Sequence, residues 1–183
     1  MAENTDASMA CPIRGPETLY ERFREVGIEF TAYQHEPVFT VEEAQRARAA
    51  APDGMPGAHC KSLFLKDKKG ALYLVVCLED RRLDMKALAG VMGSARLSFG
   101  RPELLIETLG VEPGSVTPFA AINDAEGAVS VFLDAEMMKA PLVNYHPLVN
   151  THTVAMTPAD LVRFLESCDH APTVVDLDPA TAQ

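Results

Sequence analysis

Lys61 stands at the head of an apolar run, Leu63-Phe64-Leu65, where a lysine either lays its stem on a sheet and lifts its ammonium to water or is held there for a purpose. Two other stretches carry residues able to do chemistry: the G-x-x-x-P loop Gly114-Ser115-Val116-Thr117-Pro118, and His146-Pro147-Leu148-Val149-Asn150. His59 and Cys60, with His146 and His152, could imitate a zinc site. They lack the tightly spaced ligand pair such sites use, so core or surface histidines are the plainer reading and no metal is expected. Cys60 reads as a structural thiol rather than a nucleophile. Asn144 and Asn150 read as residues that satisfy turns, with Asn150 alternatively orienting a site.

The elements that must position these residues follow from pattern. Pro16 opens a helix with Leu19, Phe23 and Val26 on one face, and Gly27 ends it. Residues 28–33 read as a strand, and Thr40 with Glu43 makes a capping box for a helix over 41–50. Lys61 then heads a hairpin: 61–66 and 71–78 flank Asp67-Lys68-Lys69-Gly70, and both arms are so apolar that the hairpin must lie centrally, covered on both faces. Asp84 caps a helix to Ala89 that Gly90 and Gly93 break, and Pro102 opens another that Gly110 closes. Residues 111–118 are too rich in Pro and Gly for regular structure. Strands follow at 129–133, 141–145 and 151–156, with Met137-Met138 as helical packing between them. Thr157, Pro158 and Asp160 start a last helix with Leu161, Val162 and Leu165 inward. Strands and helices intermix without a repeat, which gives an α+β, or mixed α/β, class.

With 183 residues the chain suits one core, read here as a tail at 1–14, one domain over 15–168 and an unpatterned tail at 169–183. No apolar run reaches the roughly 20 residues a membrane helix needs, and the N-terminus carries no signal-peptide pattern, so a cytoplasmic protein is expected. The four cysteines lie far apart and should be reduced thiols. A net charge of −10 disfavours general coating of nucleic acid, DNA included, because phosphates repel an acidic surface. Local basic clusters, Lys66, Lys68 and Lys69 or Arg81, Arg82 and Lys86, read first as solvated turns and otherwise as a patch for one nucleic-acid feature.

Three stretches in order, Lys61 through Gly70, Gly114 through Pro118, and His146-Pro147-Leu148-Val149-Asn150-Thr151, resemble the YbaK/prolyl-tRNA editing domain family. The similarity is greatest to free-standing bacterial proteins that deacylate mischarged tRNA for proline, and it covers residues 16–167. It implies a central, largely antiparallel sheet flanked by helices. It also implies hydrolysis, without a cofactor, of the ester joining an amino acid, most simply alanine, to the terminal adenosine of tRNA(Pro). The partners implied are the acceptor end of aminoacyl-tRNA and prolyl-tRNA synthetase. The lysine matching Lys61 is then the key polar residue, His146 a further catalytic candidate, and the 114–118 loop the lining of the aminoacyl site, with Ser62 and Asn150 beside it. Such proteins commonly have asparagine where this chain has Ser62, a shorter side chain without an amide donor.

An activated ester needs little more than a held carbonyl, one water and stabilisation of the developing oxyanion. Backbone amides at Gly114 would approach that oxygen closely, and Lys61 would anchor a phosphate or the carbonyl end; Lys61 and the 114–118 bend are therefore expected to converge. The alternative from another class is a binding module that recognises an aminoacyl or nucleotide ligand, or a synthetase, without turnover.

Overall fold

The computed structural model describes residues 15–38 and 40–180; residues 1–14, expected as a tail, lie outside these. Five helices, α1 (Pro16–Glu25), α2 (Val41–Ala50), α3 (Met85–Met92), α4 (Pro102–Leu109) and α5 (Pro158–Glu166), surround one sheet. Its strands are β1 (Thr31–Gln34), β2 (Ala58–Asp67), β3 (Leu72–Leu78), β4 (Leu97–Phe99), β5 (Val129–Asp134), β6 (Val143–Tyr145), β7 (His152–Met156) and β8 (Thr173–Val175). The spatial order is β1-β7-β6-β2-β3-β5-β8, with β4 also on β2. The β1–β7, β2–β3, β2–β4 and β6–β7 pairings are antiparallel, while β2–β6, β3–β5 and β5–β8 are parallel. The mixed α/β expectation with a mostly antiparallel sheet therefore holds.

Local chemistry explains most of the boundaries. Thr40 and Glu43 close their reciprocal capping box, Thr157 accepts from the Asp160 amide at the start of α5, and the hairpin turns over Asp67–Gly70. The Asp67 carboxylate takes the amides of Lys69 (2.8 Å), Ala71 (3.0 Å) and Ala95 (3.2 Å), which tie the turn to the segment before β4.

Alternation along β2 and β3 sends side chains into two cores. On one face Phe64, Leu74 and Val76 join an aromatic group in which Phe23, Phe119 and Phe164 meet edge to face at 5.0–5.4 Å. On the other, Leu65, Val75 and Cys77 pack with Leu88, Leu97, Leu177 and Ala180.

Four expectations need correction. The first strand begins at Thr31, because residues 28–30 cross from α1 into the core without a sheet partner. Helix α3 runs through Gly90 and stops at Gly93, whose φ of 65° is the left-handed cap. β4 was not foreseen; it is three residues long and exists by pairing with β2. Residues 169–180 are no loose tail: β8 lies parallel to β5, and Leu177 and Ala180 are fully buried beneath α3.

Candidate functional site

β2 changes partners along its outer edge. β6 pairs with it at Ala58 and His59, β4 at Leu65–Asp67, and over residues 60–64 no described strand covers that edge. A stretch of strand edge left uncovered in the middle of a sheet leaves backbone groups that a ligand can reach. Lys61 and Ser62 lie in the break, half-buried.

Beside it, where β2 meets β6, a cavity of about 60 Å³ is lined by His35, Arg48, His59, Cys60, Glu79, Asn144, His146 and Thr153, among others. Two non-glycine residues with left-handed backbone, Met55 (φ 50°) and Leu148 (φ 68°), flank it; such strain collects where a fold holds side chains for function. Leu148 closes its turn by donating to the His146 carbonyl at 3.0 Å, which fixes where the imidazole emerges from the end of β6.

The histidines are oriented by backbone. His146 Nδ1 lies 2.9 Å from the His152 carbonyl, which can only accept, so Nδ1 carries the proton and Nε2 keeps its lone pair. No described residue bonds to that Nε2. Burial, the largest cause, lowers the pKa of His146, and the nearby His35 adds to the effect at a ring separation of 6.2 Å. His146 is therefore a neutral imidazole with a free acceptor at the cavity. His59 turns Nε2 to the Met55 carbonyl at 3.0 Å, and burial followed by the Arg48 charge lowers its pKa too. His35 is braced between the Glu36 carbonyl (2.8 Å) and Thr153 Oγ1 (2.9 Å).

Arg48 of α2 and Glu79 after β3 form a 2.5 Å ion pair across the cavity mouth. Asn144, 2 % exposed, gives both amide hydrogens to carbonyls, of Pro56 at 3.0 Å and Ala58 at 3.3 Å. That assigns its oxygen to the other side, where Oδ1 is buried without a partner among the described residues. An acceptor left so costs about 1–3 kcal/mol. Cys60, by contrast, has little chemistry to offer, because burial pushes its thiol up to about 12. Among the described residues, no three His, Cys, Asp or Glu are grouped to hold a metal ion.

The expected site residues do not all gather here. His146 lines the cavity, and Lys61 sits in the adjacent break, but Lys61 and the Gly114–Pro118 bend do not converge. In register Lys61 opposes Cys77, so it shares the face of the second core, and its ammonium donates to the Arg81 carbonyl. The bend packs into the first core through Val116, Pro118 and Phe119, on the side Ser62 faces. Strand parity, which sends adjacent residues to opposite faces, separates them. Gly114 has φ 92° and open space where a Cβ would sit, so glycine is required there by conformation rather than by close approach. Ser115 donates its amide to the Glu112 carbonyl at 3.0 Å, and buried Thr117 caps the 3₁₀ turn Pro118–Asn123. Asn150 contributes its carbonyl, which receives the Val38 amide at 3.3 Å and braces the segment carrying His35.

His35, Arg48, Glu79 and Thr153 carry no signal in the sequence, and Asn144, expected to satisfy a turn, is instead a buried strand residue of the lining. Only Asn144 left a signal, a polar residue inside the apolar strand Leu142-Val143-Asn144-Tyr145.

Comparison with known proteins gives a consistent picture. The sequence profile described as "Aminoacyl-tRNA editing domain" matches residues 35–164. "Prolyl-tRNA synthetase associated domain-containing protein 1" of Danio rerio is 37 % identical over 169 residues, 91 % of this chain and 90 % of that protein. "Prolyl-tRNA editing protein ProX" of Acetoanaerobium sticklandii is 32 % identical over 152 residues, 82 % of this chain and 90 % of its own. A solved structure described as a candidate trans-editing enzyme for prolyl-tRNA synthetase superposes with a TM-score of 0.67 at 21 % identity, covering 88 % of this chain and 94 % of the other; this is a likeness of fold.

Proposed function

Because the chain belongs to the aminoacyl-tRNA editing domain family, we propose that it acts in trans as a deacylase of mischarged tRNA(Pro), with alanine the amino acid removed. The observation that carries the reading is His146, a neutral imidazole whose Nδ1 proton is committed to a carbonyl and whose Nε2 is free at a small cavity.

In this reading the aminoacyl end enters the cavity and a water approaches the ester carbonyl. Nε2 takes a proton as the water oxygen bonds to carbon, and the proton returns to the ribose oxygen as the carbon–oxygen ester bond breaks. Free amino acid and tRNA leave. The ester is already activated, so a modest base suffices. Lys61 serves as a fixed cation at the break in β2, with one ammonium hydrogen on the Arg81 carbonyl and the others available to a phosphate of the acceptor end. Ser62 faces the first core's side of the same break, Asn150 supports the His35 segment, and the Gly114–Pro118 bend packs into that first core through Val116.

Selection by size supports alanine. The cavity is small, with about 60 Å³ open to the centre of a water-sized sphere, which suits an alanyl group better than the bulkier prolyl ring. Editing has that logic: a synthetase rejects a substrate smaller by a methylene by only about 1–3 kcal/mol, so a second site must hydrolyse what slips through.

The test is purified protein with tRNA(Pro) carrying labelled alanine, serine, cysteine or proline. Alanine should be released and proline retained. Binding of these tRNAs without release of any amino acid would favour the non-catalytic module, and release of proline would overturn the size argument.

A further inference from the structure

Glu79 is the one carboxylate among the described residues that line the His146 cavity. It stands just past the end of β3, where its amide donates to the His59 carbonyl at 2.9 Å and fixes the side chain's origin beside the cavity. Only one of its oxygens is used. Oε1 meets Arg48, while Oε2 has no hydrogen bond to any described residue, and the side chain is 27 % exposed, so a ligand can reach it. An ionised carboxylate accepts at both oxygens, with about four lone-pair sites in all, so the ion pair leaves most of this capacity open. The charge acts within the cavity: at His59 and His146, where burial lowers the pKa, Glu79 works in the opposite sense. His146 Nε2 is the other open acceptor of the lining, and the two differ in charge. A neutral imidazole suits a water molecule, whereas a cationic donor gains more from an ionised acceptor, where hydrogen bonds are about twice as strong.

We propose that Glu79 Oε2 accepts a hydrogen bond from the α-ammonium of the amino acid being removed, which makes Glu79 a specificity-determining residue for esters with a free α-amine. The inference rests on the editing reading above and deepens it. An aminoacyl ester carries one cation next to its carbonyl, the α-ammonium, and a neighbouring carboxylate favours that charged form. Glu79 then takes the ammonium while His146 keeps Nε2 for the water. Proline also brings an ammonium, so Glu79 does not spare it and size alone does. What Glu79 rejects is an ester whose α-substituent is uncharged, as in an N-acylated aminoacyl-tRNA or a peptidyl-tRNA.

The experiment crosses residue with substrate. Wild type, Glu79→Gln and Arg48→Gln are assayed on alanyl-tRNA(Pro) and on lactyl-tRNA(Pro), in which a hydroxyl of similar size replaces the amine. Each rate is divided by the spontaneous hydrolysis of the same ester, which removes the difference in their intrinsic reactivity. Wild type should prefer the alanyl ester by about 10- to 100-fold in kcat/KM, the worth of one hydrogen bond to a charged group. Glu79→Gln should lose that preference. Arg48→Gln should keep or raise it, because it removes a like charge from beside the ammonium and leaves the carboxylate. Equal normalised rates with wild type, a preference that survives Glu79→Gln, or an equal loss in both variants would each overturn the proposal; the last would mean that the ion pair only braces the mouth. Should Glu79→Gln not fold, wild type still reports through the Glu79 side-chain carboxyl carbon resonance, titrated with 3′-alanylamino- and 3′-lactylamino-3′-deoxyadenosine. A shift specific to the alanyl compound supports the proposal, and equal shifts or none overturn it. Absence of turnover on every aminoacyl-tRNA would instead defeat the editing reading, with the titration still deciding whether Glu79 recognises an ammonium.

Discussion

At the residue scale, one carbonyl decides what His146 can do. The His152 oxygen holds Nδ1–H and leaves Nε2 as the acceptor, while burial lowers the pKa from its ordinary 6.5. Two consequences share a sign. The group is neutral at pH 7 and able to take a proton, so kcat/KM should rise with pH along a limb centred below 6.5 and stay flat through neutrality. The folded state also resists protonation more than the unfolded chain does, so the stability this residue contributes above its unfolded pKa is lost as pH falls through the folded one. A pH–rate profile checks the first; His146→Ala should erase the limb and lower the rate by about 10²–10⁴. A limb centred above 6.5 would point to another base. Cys60, held at about 12, should resist iodoacetamide at pH 8, and Cys60→Ser should retain turnover; alkylation that tracks inactivation would reinstate the thiol. Lys61 and His146 were legible in the sequence by motif. Asn144 was not, because its partners, the Pro56 and Ala58 carbonyls, are brought to it only by the fold.

At the element scale, the site exists because β2 exchanges one partner for another. The junction is tight at Gly57, with φ 105° and an added Cβ falling 2.6–2.9 Å from the Leu142 side chain and backbone, next to the 2.8 Å bond from the Ala58 amide to the Leu142 carbonyl. Gly57→Ala should therefore destabilise by about 2 kcal/mol or more and loosen the β2–β6 junction. Gly54→Ala, strained at φ 73° but with open space around it, should cost less. Urea unfolding of the two variants compares them, and equal losses would remove the steric account. The same element logic separates Lys61 from the 114–118 bend. The stretch reads as a strand from sequence, but it is the pairing register, Lys61 opposite Cys77 and Ser62 opposite Val76, that sends residue 61 to one face and 62 to the other. Capping boxes and the hairpin were legible because their partners lie within a few residues. β4 and β8 were not, because three-residue strands are defined by distant neighbours.

At the scale of the whole molecule, the last described residues are structural. Arg81, 9 % exposed, reaches Asp134 at 2.9 Å and Asp178 at 2.7 Å, linking β3's end, β5 and the C-terminal segment. Leu177 fills the second core. Leu177→Ala should cost about 2–5 kcal/mol by calorimetry or denaturant, as a buried leucine does, and a loss within 0.5 kcal/mol would return this segment to a dispensable tail. It carries no long-range repeat or strict alternation, which is why sequence pattern missed it. The net charge of −10 bears on the substrate at this same scale: attraction to RNA is local, through few phosphates, so KM should vary only shallowly with salt.

The most direct test of the central claim is single-turnover release of alanine from Ala-tRNA(Pro) by wild type, Lys61→Ala and His146→Ala, each verified as folded. Wild type should hydrolyse the ester well above the spontaneous rate and spare Pro-tRNA(Pro), with both variants slowed by about 10² or more. Wild-type turnover in the His146→Ala protein, or no turnover by wild type, would contradict the account.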